Sequence, residues 1–127
     1  MIDHVSVPVR NLVAGSAFYE HVLAPLGYAK LVERPATVGF GKKYPEFWLN
    51  LRPDLAAGPS NPGAHIALRA ASEDAVRAFH AAAVEMGGVS DGDPALRQAA
   101  MTTYFGAFIR DPDGNKLEAV SFLKPAA

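Results

Sequence analysis

Between His4 and Val9 the chain alternates. Val5, Val7 and Val9 fall on one face and His4, Ser6 and Pro8 on the other, the two-residue period of a half-buried strand. After Asn11, a plausible helix N-cap, Phe18 and Val22 set a helical spacing that Pro25 and Gly27 bring to a stop. The order then returns. Ile66 and Leu68 alternate with His65, Ala67 and Arg69, and Ser72 caps a second helix whose Glu73 and Asp74 suit the positive end of its dipole. Val76, Phe79, Ala83 and Met86 follow at helical spacing, and Gly87-Gly88 ends the run.

The two stretches match residue by residue. With the segment from Asp3 written above the segment from Ala64, His4 falls on His65, Phe18 on Phe79 and Gly27 on Gly88. A repeat of this kind reads as a duplicated supersecondary unit. Short strands follow each helix: Ala29 to Glu33, Thr37 to Phe40 and Phe47 to Leu51 in the first copy, Tyr104 to Arg110 and Leu117 to Phe122 in the second. Asp111-Pro112-Asp113-Gly114-Asn115 is a strong turn signal between the last two. Val89 and Ser90 lead into a Gly-, Asp- and Pro-rich stretch, Asp91 to Met101, expected to be a loop. The pattern therefore predicts an α+β chain of two tandem β-α-β-β-β modules with mixed, mainly antiparallel sheets. Module one covers about residues 1–57, a Gly/Pro linker about 58–63 and module two about 64–123, all within a single domain.

Composition narrows the chemistry. The 127 residues carry a net charge of -1, which argues against nucleic-acid or anionic-membrane binding. No apolar run approaches membrane-spanning length and the first residues lack a signal-peptide pattern, so a cytoplasmic location is expected. The absence of cysteine excludes disulfides, thiolate zinc sites and cysteine nucleophiles. Any metal must be held by His, Asp or Glu, and there are four histidines.

Alternation points His4 and His65 away from the helices, onto the open face of each sheet. On the last strand Glu118 sits among Leu117, Ala119 and Val120, a costly place for an unpaired carboxylate. Two imidazoles and one carboxylate are the elements of a facial triad for Fe(II), Mn(II) or another divalent ion such as Zn or Ni. The same three residues also suit plain hydrogen-bonded or edge positions, and spacing alone leaves both readings open. Tyr104, on the face it shares with Phe108, is a candidate acid or oxyanion donor near a metal, and equally reads as a core aromatic with a satisfied hydroxyl. Arg97, expected in the loop, reads as a solvated charge or as a clamp for a carboxylate or phosphate, with the solvated reading favoured. Trp48 and Phe47 read as a pocket wall or as core, with core favoured. His21 and His80 are expected at helix surfaces or edges.

Ala64-His65-Ile66-Ala67-Leu68 and the closing Ala107 to Val120 segment, with its aspartate-proline-aspartate-glycine hairpin before Glu118, resemble the vicinal oxygen chelate superfamily. The opening Ile2-Asp3-His4-Val5 and the Phe18-Tyr19-Glu20 helix are similar to that family's first module. The resemblance spans almost the whole chain. It implies sheets curled into a cup around a divalent metal, with His4, His65 and Glu118 at ligand positions and Glu118 and Tyr104 as catalytic groups. It implies a small-molecule substrate, contacted by Trp48, Asn50, Arg97 and Phe108, and a homodimer.

One departure bears on the reaction. Aligning Phe40–Leu51 with Ile109–Val120 puts Leu49 against Glu118, and Asn50 would offer an oxygen there only after a register slip. A four-ligand site of the glyoxalase I kind is therefore not expected. A metal-dependent lyase, isomerase or dioxygenase acting on vicinal oxygens fits the resemblance better. The alternative is a metal-free, bleomycin-sequestering kind of binding protein.

Overall fold

A computed structural model describes residues 1–56 and 63–122. The linker expected at 58–63 falls, apart from Gly63, outside the described residues, as do the module boundaries at 57 and 123. The elements run β1 (Val5–Val9), α1 (Leu12–Leu23), a short 3-10 turn (Ala24–Leu26), β2 (Ala29–Glu33), β3 (Thr37–Gly41) and β4 (Pro45–Leu51). Then come β5 (Ile66–Arg69), α2 (Glu73–Glu85), β6 (Val89–Gln98), β7 (Thr103–Arg110) and β8 (Lys116–Phe122).

Each module forms one four-stranded sheet, ordered β1-β4-β3-β2 and β5-β8-β7-β6. The first and last strands of each module pair in parallel and the remaining pairs are antiparallel. This is the expected α+β duplication. Both helices begin where the sequence said: the Asn11 side chain accepts from the Ala14 amide at 2.9 Å, and the Ser72 hydroxyl from the Ala75 amide at 3.1 Å. Gly27 and Gly87 close the two helical segments at φ 87° and 98°, where any side chain would strain the backbone.

One apolar core runs through both modules. Phe18, Tyr19, Phe40 and Phe47 from the first meet Phe79, Ile109 and Leu117 from the second, all essentially out of water. A polar clamp reinforces the junction. The Tyr19 hydroxyl donates to Asp111 Oδ2 at 2.5 Å, and Asp111 Oδ1 accepts the amides of Asp113 and Asn115 at 2.9 and 2.8 Å. Asn115 Nδ2 donates to the Pro8 carbonyl at 2.9 Å, while Arg10 grips Asp113 Oδ1 at 2.9 Å. The turn of module two is thereby fastened to β1 and α1 of module one. Burial raises the Asp111 pKa from its ordinary value, against the lowering effect of the Tyr19 and Asn115 bonds.

Two expectations need correction. The stretch expected as a loop, Asp91 to Met101, is strand as far as Gln98: β6 pairs with β7 from Val89↔Arg110 to Gln98↔Thr103. Register shifts on either side of Gly92 absorb the glycine and Pro94, which an edge strand tolerates because one side needs no ladder partner. The inter-module alignment also shifts. Phe40 faces Phe47, whereas its counterpart Ile109 faces Leu117, so the second hairpin carries one residue more. Ser6 pairs with Trp48 as Ala67 pairs with Glu118. The first-module counterpart of Glu118 is therefore Trp48, not Leu49.

Candidate functional site

The open face of the second sheet gathers most of the expected residues. His65 immediately precedes β5; on β8, Glu118 lies opposite Ala67 on one side and Phe108 on the other. His65 Nε2 stands 3.2 Å from Glu118 Oε1, and the Tyr104 hydroxyl donates to Glu118 Oε2 at 2.6 Å. Glu118 is only 4% exposed, so both of its oxygens are engaged, which offsets the cost of burying a carboxylate there. Burial first, and then the bond to Glu118, raises the Tyr104 pKa from its ordinary value. The phenol therefore keeps its proton and stays a donor.

Cations and rings surround this core. The Phe108 ring lies 5.7 Å from His65, centroid to centroid, and carries Arg97 at 5.0 Å and Lys116 at 4.8 Å over it. Arg97 thus belongs to a strand, opposite Tyr104, not to a loop. Its Nε donates to the Gly106 carbonyl at 3.1 Å and its Nη2 to the Asp93 carbonyl at 2.7 Å, which holds the guanidinium beside Phe108. Lys116 and Arg110 share Asp91, each at 3.1 Å. Sequence reasoning missed Lys116, although alternation with Glu118 on β8 already placed it on this face.

The first module contributes less. His4 lies just before β1 with a half-exposed side chain, and its Nδ1 is 2.7 Å from Asp3 Oδ1. It lines a cavity of about 320 Å³ together with His65, Tyr28 and Glu46. Among the described residues no group of three or more His, Asp or Glu lies close enough to hold a metal ion. The chain pairs His65 with Glu118 and brings His4 to a cavity shared with His65, without the three closing into one metal-holding group. Phe47 is core, but Trp48 is only partly buried, shares its face with Asn50, and carries Arg34 at 5.6 Å. Asn50 reaches that face with no register slip, opposite Pro8. His80 is a helix-edge residue bonded to Ser90 at 2.7 Å, and His21 caps a carbonyl of its own helix.

Residues 1–119 match the family model of the glyoxalase/bleomycin resistance protein/dioxygenase superfamily. Among solved structures, the chain is similar to a glyoxalase/bleomycin resistance protein from Albidiferax ferrireducens T118. That match has 28% identity and a TM-score of 0.83, over 94% of this chain and 97% of that one. A glyoxalase/dioxygenase from Nostoc punctiforme shares the fold at 20% identity and a TM-score of 0.70, over 98% and 92% of the two chains. So does a genomically encoded fosfomycin resistance protein from Listeria monocytogenes, at 15% and 0.68, over 97% and 93%. A search of curated proteins found no match.

Proposed function

Because the chain belongs to the glyoxalase/bleomycin resistance protein/dioxygenase superfamily, we propose that it is a metal-dependent enzyme acting on vicinal oxygens of a small substrate. The reaction class is lyase, isomerase or dioxygenase. The observation that carries the reading is the His65–Glu118 pair, an imidazole and a buried carboxylate 3.2 Å apart on an open sheet face. Donors of this chemistry fit a divalent ion such as Fe, Mn, Zn or Ni. In one chain they supply two ligands, and His4, exposed and outside the pair, is the third, delivered by a second copy in a homodimer. Trp48, where a fourth carboxylate would stand, speaks against a four-ligand site.

When bound, the ion supplies Lewis acidity toward adjacent substrate oxygens. The protein's own groups do the rest. Tyr104 fixes Glu118 by holding Oε2, which leaves Oε1 directed at His65. Arg97 and Lys116, parked over Phe108, present positive charge to an anionic substrate group, and Phe108 offers a flat apolar wall. Across the cup, Trp48 and Asn50 complete the substrate contacts.

The test is metal content of protein purified without chelators. Stoichiometric divalent metal, lost in His65→Ala and in His4→Ala, supports the reading. Mixing the two variant chains should restore part of the metal, because a mixed dimer rebuilds one intact site. Negligible metal in the unaltered protein would overturn the enzyme reading. It would favour instead a sequestering role for the aromatic wall at Trp48, a reading that the two-donor arrangement within one chain already supports.

A further inference from the structure

Ser90-Asp91-Gly92-Asp93-Pro94 is turn chemistry set inside a strand. Against β7 the register of β6 shifts twice between Ser90 and Ala95, so Asp93 and Pro94 have no ladder partner and the strand bulges. The bulge has a task at the open face. It turns the Asp93 carbonyl onto Arg97 Nη2 at 2.7 Å, while Arg97 Nε donates to the Gly106 carbonyl at 3.1 Å. Gly92 clears the path between them. A Cβ there would stand 2.9 Å from Phe108 Cδ2 and 3.0 Å from Arg97 Nη2.

Helix α2 anchors the bulge. Ser90 Oγ donates its one proton to Asp93 Oδ1 at 2.9 Å, so in the 2.7 Å contact with His80 the hydroxyl accepts from Nε2. With the proton pointing that way, His80 does not serve Ser90 as a base. The imidazole instead steadies Ser90 and stands 3.6 Å from Asp93 Oδ1. A continuous chain of polar contacts thus runs from α2 through Ser90 and Asp93 to the guanidinium of Arg97.

That guanidinium is left with work to do. Lys116, its neighbour over Phe108, is tied to Asp91. Among the described residues no carboxylate pairs with Arg97, which has five N–H donors and spends two on carbonyls, leaving three free. Held face-on over Phe108, it keeps those donors in its own plane, the geometry that grips an oxyanion in two places. Steps of 5.0 and 5.7 Å, through the Phe108 ring, join it to the His65 imidazole. Its charge also reaches Tyr104, where burial and the Glu118 bond raise the pKa and Arg97 opposes them.

We propose that Arg97 is the receptor for an acidic group of the substrate, and that His80 is a positioning residue that holds it ready through Ser90 and Asp93. The substrate class narrows to small molecules that carry a carboxylate or a phosphate beside their vicinal oxygens. This rests on the open face being the substrate face, and not on the metal.

The nitrogen resonance of Arg97 Nε in the isotope-labelled chain, assigned by its loss in Arg97→Lys, tests the proposal. The full chain is titrated with acetate, inorganic phosphate and neutral acetamide at constant ionic strength, with EDTA present so that no metal contributes. Saturable movement with acetate or phosphate, and none with acetamide, is expected, and the tighter oxyanion identifies the acidic group. His80→Ala should weaken that oxyanion about two- to tenfold, the entropic cost of immobilising one long side chain. His80→Gln, which still donates to Ser90, should restore it. Gly92→Ala should weaken it as well, by pushing the guanidinium aside. No saturable movement, or equal movement with acetamide, would overturn the receptor. A lower urea midpoint in His80→Ala with unchanged oxyanion affinity would overturn the positioning role. Should His80→Ala not fold, Asp93→Ala decides, because its side chain is exposed and its carbonyl remains. Metal content is a separate readout: a chain without metal whose Arg97 still takes the oxyanion fails the enzyme reading alone.

Discussion

Tyr19→Phe removes one oxygen from the junction between the modules, and its cost follows from the partners it leaves. Both Tyr19 and Asp111 are buried, and the hydroxyl is one of two donors on Asp111 Oδ2, the other being Asn115 Nδ2 at 2.8 Å. A hydrogen bond to a charged group is worth about 1.5–3 kcal/mol, against about 0.5–1.5 kcal/mol for a neutral pair. Above the raised folded-state pKa of Asp111 the carboxylate is charged, and in that range the variant should lose about 1.5–3 kcal/mol. A cavity of about 190 Å³ lined by both Tyr19 and Asp111 borders the pair, and a water entering it would move the cost toward the lower of those values. The effect depends on pH in a fixed direction. A raised acid pKa contributes stability that is complete below the unfolded value of 3.8 and lost as pH rises through the folded value. Tyr19 holds that pKa down, so its removal costs most at high pH and roughly half as much once Asp111 is protonated. Urea denaturation at a series of pH values reads this as a shift in midpoint at constant slope. A penalty that does not change from pH 3.5 upward, or one below about 0.5 kcal/mol throughout, would refute the clamp.

Other outcomes follow from the same geometry. Tyr104→Phe should weaken divalent-metal affinity about 10- to 100-fold by calorimetry, the usual cost of losing a residue that orients a ligand. Gly106→Ala should have a similar effect on metal affinity, because the new methyl would stand 2.7 Å from the Tyr104 ring and push it off Glu118. Ser72→Ala should cost about 1 kcal/mol in urea denaturation by uncapping α2, with metal content unchanged. Burial and the neighbouring Asp111 raise the Tyr19 pKa well above 10.0. Its contribution to stability is therefore complete below pH 10 and lost as pH rises beyond, a decline that Tyr19→Phe should not show.

The architecture was legible because both helices carry side-chain caps and the first strand of each module, β1 and β5, alternates cleanly, so local chemistry and tertiary packing agree. The same alternation pointed His65 away from the helices and put Tyr104 and Phe108 on one shared face, though not which face that was. Two features were not legible, for different reasons. Strand β6 holds Gly92, Asp93 and Pro94, all poor strand formers, and exists because β7 offers a ladder that its bulges can fit. Trp48 opposite Ser6 depends on a hairpin one residue shorter than its sister, a length difference that an ungapped alignment cannot register. His4 is a third kind of case. Its face was readable from alternation, whereas its distance from Glu118 depends on how whole sheets meet, which local pattern does not encode.

The parallel pairing of the first and last strands of each module has a consequence for how the protein is made. Val5 finds Phe47, and Ile66 finds Leu117, each about forty to fifty positions further along, so neither sheet closes through neighbours in sequence. Glu118 sits on β8 and His65 just before β5, the two paired strands that lie furthest apart in the sequence of their module. On the ribosome the donor pair cannot form until β8 has emerged. In refolding, metal capture should therefore accompany the final cooperative step and not precede it. An ion present early would find separate histidines and carboxylates, and it would help the chain fold only by holding the finished pairing of β5 with β8 closed.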